Sequence, residues 1–229
     1  MQLRQSVAAS VVLVVAACAG ESNPALNTLA DSASYAVGMN MGASLREVRD
    51  EIALDALVQG LRDMTEGRTT RLSEQAAGRV LQTFAAQVQQ RQSEGRMAQA
   101  DSNRQKGDAY RAENGKRAGV QTTASGLQYE VLTAGSGAKP KATDRVRVQY
   151  RGTLVDGTQF DATDAGEPVT FPLNQVIPGW TEGMQLMPVG SKYRFVVPPA
   201  LGYGAGGYPP DIGPEMTLVF EVELVGIER

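Results

Sequence analysis

The 229-residue chain contains no histidine and a single cysteine, Cys18. Without histidine there is no Ser-His-Asp or Cys-His nucleophilic machinery, no imidazole general base and no His-ligated metal site. A lone cysteine can make neither an internal disulfide nor a Cys-x-x-Cys redox pair. Aromatics are sparse at 6% of residues. The net charge of −3 argues against a nucleic-acid phosphate backbone as the main partner. With 42% hydrophobic and 21% charged residues, neither whole-chain disorder nor a coiled coil fits the composition. Any chemistry here proceeds without an imidazole or a thiol pair.

The amino terminus carries Arg4, then an apolar stretch from Val7 to Ala17. That stretch is too short to span a bilayer as a helix but suits a signal-peptide core. It ends in Val15-Ala16-Ala17-Cys18, which resembles the lipobox of bacterial lipoproteins. The resemblance implies cleavage after residue 17, lipidation of Cys18 and stable attachment by more than one acyl chain. Ala19, rather than aspartate, follows, so the expected location is the outer membrane, facing the periplasm or the cell surface. An ordinary secretory peptide cleaved nearby, with Cys18 incidental, is the alternative. Residues 18–30 read as a tether.

The rest divides into two chemistries. Ten of the thirteen aromatics lie in 120–229, where the net charge is −4, against +1 in 1–119. The first half reads as helical. Asp31-Ser32 can cap a segment containing Tyr35, Val37, Met39 and Met41, and Ile52, Leu54, Leu57, Val58 and Leu61 share one side at helical spacing. Ser73 opens a run to about Asn114, with Val80, Leu81, Phe84 and Val88 as its apolar stripe. A helix of about 40 residues would be roughly 60 Å long. Beyond Gln89 the stripe fades, which predicts a solvated rod. Two short helices and one stripe make a thin core, so dimerisation is expected. The boundaries read as 31–118 for the dimerisation domain and long linker helix, and 119–229 for the remainder.

That remainder reads as antiparallel β. Val146, Val148 and Tyr150 alternate with Arg145, Arg147 and Gln149, as do Tyr193, Phe195 and Val197 further on. Val155-Asp156-Gly157-Thr158 is a hairpin signal, and residues 126–132 and 218–224 supply further strands. One short helix near 179–186, opened by Pro178, must cover the apolar face of the sheet. The class is α+β.

Two formal motifs fail in context. Gly202-Tyr203-Gly204-Ala205-Gly206-Gly207 satisfies GxGxxG, but Tyr208-Pro209-Pro210 follows, leaving no helix to receive a pyrophosphate. Residues 161–167 echo a calcium loop without its oxygen ligand at the fifth position or its distal glutamate. What remains is a set of aromatics beside turns, among them Tyr150, Phe160, Trp180 and Tyr203. These are either ordinary core residues or the lining of one concave pocket.

Five blocks, however, stand in a familiar order. Val148-Gln149-Tyr150-Arg151-Gly152-Thr153-Leu154, Asp156-Gly157-Thr158-Gln159-Phe160-Asp161, Gln175-Val176-Ile177-Pro178-Gly179-Trp180, Gly202-Tyr203-Gly204 and Thr217–Leu224 resemble the FKBP-type peptidyl-prolyl cis-trans isomerases. Ser34–Met39, Ala56–Leu61 and the long helix leading to Ser125–Tyr129 are similar to the dimerisation arm of the macrophage infectivity potentiator type. The resemblance implies an antiparallel sheet wrapped around one short helix and an isomerase acting without cofactor or metal. Its clients would be proline-containing chains, and FKBP-type macrolides would be possible inhibitors.

Carried over residue by residue, it implies catalytic roles for Asp161, Tyr203 and Phe160. Substrate binding would fall to Tyr150, Val176, Ile177, Trp180, Ile212 and Phe220. Trp180 would form the floor, and Asp161 would be buried and hydrogen-bonded to Tyr150. Val169 aligns where many relatives carry a wall aromatic, Ala165 or Gly166 where they carry a basic residue, and Tyr208 where they often carry histidine. A client-binding chaperone module without turnover is the alternative, favoured by the first two departures.

Overall fold

The computed structural model describes residues 25–164 and 166–228, so Cys18, most of the tether and Ala165 lie outside the described residues. The chain separates into two compact units, divided between Ala77 and Gly78.

The first unit is helical. Its α1 spans Leu29–Ser44 and starts one turn earlier than the sequence cue, because Thr28 is the cap. The Thr28 amide donates to Asp31 Oδ2 at 2.9 Å, and the Asp31 amide donates to Thr28 Oγ1 at 3.1 Å. Asp31 is thus the returning half of a capping box rather than the cap. The Thr28 side chain first, and then the Thr28 amide, hold the Asp31 carboxyl below its ordinary range. A 3₁₀ segment at Arg46–Glu51, absent from the sequence reading, leads to α2 at Leu54–Thr65. No residue of α1 is buried, and the apolar side chains Leu29, Val37, Met39, Leu54 and Met64 are all exposed.

α3 (Glu74–Asn114, 41 residues) begins where Ser73 accepts from the Ala76 amide. Its carboxyl-terminal half is not the solvated rod expected from its composition. Ala100, Asn103, Gly107, Tyr110, Arg111 and Asn114 are half-buried or buried, a stripe recurring every three or four residues. Small and polar residues carry this stripe, so hydrophobic periodicity missed it. Its contacts include hydrogen bonds, such as Asn114 Nδ2 to Gln128 Oε1 at 2.8 Å, and a close approach at Gly107.

The β unit holds seven strands: β1 Val120–Thr122, β2 Gln128–Thr133, β3 Arg145–Leu154, β4 Gln159–Ala162, β5 Val169–Pro172, β6 Lys192–Val197 and β7 Leu218–Glu228. All pair antiparallel in the order β1-β2-β6-β7-β3-β4, with β5 also pairing β3. Of these, β1 and β5 had no clear sequence signal, being three and four residues long. On the inner face, Val146, Val148, Phe195, Val197, Phe220 and Val222 are buried.

The short helix α4 (Pro178–Met184) closes this face. It can approach because Gly179 and Gly183, one turn apart, face the sheet. A Cβ on Gly179 would lie 2.6 Å from Val197 Cγ1, and one on Gly183 would lie 2.6 Å from Phe195 Cε1. The glycines therefore set how deeply α4, and Trp180 on it, sits over the sheet. On the outer face Gln128, Val196 and Val219 lie abreast across β2, β6 and β7, where Asn114 of α3 meets Gln128.

Candidate active site

The inner face of the sheet and the turns around α4 enclose one cavity of about 270 Å³. Trp180 is 4% exposed and sits at its base. Three rings meet the indole nearly at right angles: Tyr150 of β3 at 5.0 Å between centroids, Phe220 of β7 at 5.3 Å and Phe171 of β5 at 5.9 Å. Phe160 of β4 packs edge-to-face on Phe220 at 5.5 Å. Each such contact adds about 0.5–1.5 kcal/mol beyond burial, so the lining is rigid. Gly152 permits the last pair, since a Cβ there would lie 2.7 Å from the Phe160 ring.

Polar groups are few and lie around the rim. The Tyr150 hydroxyl donates to Asp161 Oδ2 at 2.5 Å, as expected from the sequence. Asp161 itself is exposed, not buried, because β4 is a short strand at the edge of the sheet. Val176 and Ile177 line the cavity just before α4, and among the described residues no acceptor takes the Ile177 amide. Tyr203 follows the turn after β6, packs against Tyr208 at 5.3 Å and keeps its hydroxyl free of protein acceptors among the described residues. The GxGxxG segment here is a 3₁₀ turn at Gly204–Gly206, with no helix after it.

Of the candidate residues, Tyr150, Phe160, Asp161, Val176, Ile177, Trp180, Tyr203 and Phe220 converge on this cavity. Ile212 does not. It is 3% exposed, in the same core cluster as Trp180 and Phe220, and its backbone bridges Tyr208. Two further residues line the cavity: Gln175, which opens one of the resembling blocks, and Phe171, which carried no sequence signal of its own. The wall that Val169 leaves open is filled by Phe171, two residues along the same strand and so on the same side. Val169 itself is 43% exposed. The period-two spacing was the available signal, hidden by the brevity of β5. Among the described residues no group of acidic or sulfur ligands could hold a metal ion.

Burial first, and then the Asp161 carboxylate, raise the Tyr150 hydroxyl well above the tyrosine range. Burial also raises Tyr203, with Tyr208 and Asp161 adding to it. In both cases folding favours the neutral phenol. Their contribution to stability is therefore fully present below the unfolded value of about 10, and is lost as pH climbs through the raised folded values. The rate of any chemistry in this cavity is expected to stay flat from neutral pH to about pH 10 as far as these groups govern it. Ultraviolet titration of the phenols should show Tyr150 ionising after the exposed tyrosines. A drop in rate tracking a phenol that ionises below pH 10 would contradict this.

Comparison with known proteins agrees with this geometry. Residues 136–225 match the model of the FKBP-type peptidyl-prolyl cis-trans isomerase, and residues 30–131 match the domain amino terminal to it. The chain is 45% identical over 207 residues to the FKBP-type peptidyl-prolyl cis-trans isomerase FkpA of Aeromonas hydrophila, covering 87% of this chain and 76% of that one. It is 38% identical over 231 residues to the outer membrane protein MIP of Legionella longbeachae, covering 100% of this chain and 99% of that one. The crystal structure of FkpA from Escherichia coli aligns with a TM-score of 0.70 at 38% identity, covering 89% of this chain and 99% of that one. An apolar cavity that carries no nucleophile, on a sheet closed by one short helix, thus has a known lineage: this chain belongs to the FKBP-type peptidyl-prolyl cis-trans isomerases and assists protein folding by that activity.

Proposed function

We propose that the cavity over Trp180 isomerises X-Pro bonds in exported proteins by binding the twisted amide better than the planar one. The barrier of about 18–20 kcal/mol comes from amide resonance. A twisted amide loses that resonance and is less polar across C–N, so a dry aromatic cavity favours it without covalent chemistry. The proline ring seats on Trp180 between Tyr150, Phe160 and Phe220. The free Ile177 amide and Tyr203 hydroxyl receive substrate carbonyls. Asp161, oriented by Tyr150, acts electrostatically on the carbonyl of the twisting bond. The observation carrying this reading is the convergence of those donors and rings on one cavity. Its test is isomerisation of a short X-Pro peptide by the wild-type chain, Asp161→Ala and Tyr203→Phe. Turnover unaffected by both variants would place the site elsewhere.

We further propose that the protein works at the cell envelope as a homodimer anchored through lipid on Cys18. The sequence Val15-Ala16-Ala17-Cys18 supports the anchor, and so does the similarity to the Legionella relative, which is named as an outer membrane protein. Acyl incorporation that persists in Cys18→Ser would refute it. For the dimer, the support is that the apolar side chains of α1 and α2 are exposed in a single chain, with a family domain of the same kind over residues 30–131. Paired chains would bury those side chains. Sedimentation should give twice the chain mass, and Leu54→Glu with Leu61→Glu should shift it to monomer, at little loss of peptide turnover. A wild-type monomer at micromolar concentration would sink the dimer. Slow prolyl steps limit folding over tens of seconds, and two linked pockets would raise each other's effective client concentration.

A further inference from the structure

The segment 204–217 carries the turn that follows Tyr203, and one face of α3 holds it. Asn103 Nδ2 donates to the Pro214 carbonyl at 2.8 Å, and Arg96 Nη2 donates to the Gly206 carbonyl at 3.2 Å. The Arg104 guanidinium stands 3.8 Å from the Glu215 carboxylate. The helix is also seated closely: a Cβ on Gly107 would lie 2.3 Å from Thr217 Oγ1. Within the segment, the Glu215 amide donates to the Gly204 carbonyl at 2.9 Å, and Tyr208 and Ile212 exchange backbone bonds of 2.7 and 3.0 Å. A short chain of bonds therefore runs from Asn103 through Pro214-Glu215 to Gly204, the neighbour of Tyr203.

We propose that Asn103 is a positioning residue for the isomerase cavity: through the Pro214 carbonyl it holds the segment 204–217, and so places the Tyr203 hydroxyl for the substrate. The carboxyl-terminal half of α3 is then part of the binding apparatus, not only a spacer. The inference rests on the reading of Tyr203 as a substrate donor. The physical need is clear from the composition, since Gly204, Gly206, Gly207 and Gly213 leave the segment with large backbone freedom. Freedom not removed in advance must be removed on binding, which weakens affinity. Arg96 and Arg104 make exposed contacts, and such contacts contribute little when solvated. Asn103 is half-buried and neutral, so its bond is the firmer hold.

The test uses the full chain and a short X-Pro peptide. Asn103→Ala should raise KM about 3–10-fold, in line with one net hydrogen bond, and leave kcat within about twofold. Asn103→Asp keeps the size but cannot donate, so it should show the same loss. Peptide affinity, read from the fluorescence of Trp180, the only tryptophan, should fall by the same factor. In a Tyr203→Phe background Asn103→Ala should add less than about twofold, because the group being positioned is gone. Unchanged KM and affinity in Asn103→Ala would overturn the proposal. So would an equal loss in both backgrounds, which marks a merely structural role. If the wild-type chain bound peptide without accelerating it, the catalytic assignment of the cavity would fail instead, and the affinity arm would still decide the role of Asn103.

Discussion

Asp161→Ala is expected to lower kcat/KM by about 10- to 100-fold while leaving the unfolding midpoint nearly unchanged. The size follows from the contact it removes, a hydrogen bond to a charged group worth about 1.5–3 kcal/mol, where each 1.36 kcal/mol is tenfold in rate. The Tyr150 hydroxyl, now bonded to Asp161 at 2.5 Å, loses its acceptor and turns freely at the cavity wall. Stability should hold because Asp161 lies exposed on the edge strand β4, so water replaces the lost partner. The loss should appear in kcat as well as in KM, since the carboxylate is assigned to the twisting amide and not only to the ground state. Peptide kinetics beside urea unfolding separate the two effects. A variant that retained more than half the wild-type kcat/KM would remove Asp161 from the mechanism.

Phe195→Ala should produce the opposite pattern, with stability lost first. Phe195 is fully buried beneath α4, and truncating a buried phenylalanine costs about 3–5 kcal/mol. The upper part of that range is expected here. The residue facing the ring is Gly183, which has no side chain to relax into the space, so the void stays largely open. Domains of this size are stable by only about 5–15 kcal/mol, and the fall should be plain in urea unfolding followed by Trp180 fluorescence. An unchanged slope with a lower midpoint would mark a loss of stability alone. A loss below about 1.5 kcal/mol would mean that α4 settles onto the sheet, and that its seating does not depend on Phe195.

These two positions differ in how far their surroundings are legible in the sequence. The alternation around Phe195 and the Pro178 start of α4 mark a sheet with one covering helix, because period-two burial and a helix-opening proline are local signals. The pairing of Tyr150 with Asp161 is legible only through the family resemblance, since eleven residues and a hairpin separate the two. Phe171 leaves no signal because a four-residue strand offers too little alternation to register. Ile212 lies in the segment after Tyr203, as the resemblance implies, and packs in the same core as Trp180 and Phe220. The cap of α1 is displaced by three residues because Asp31 serves Thr28 from inside the helix.

By itself, then, the sequence determined the α+β class and the aromatic character of the chain's second half. It also excluded imidazole and thiol chemistry, since those depend on which residues are present and on spacings of two to four positions. Only the tertiary structure decided that Asp161 stands exposed at the rim, that Phe171 closes the wall, and that the polar half of α3 lies against the segment after Tyr203. Each of these rests on contacts between residues far apart in the chain. They are made by hydrogen bonds and by glycine-permitted close approach, and neither leaves a periodic trace in a hydrophobic pattern.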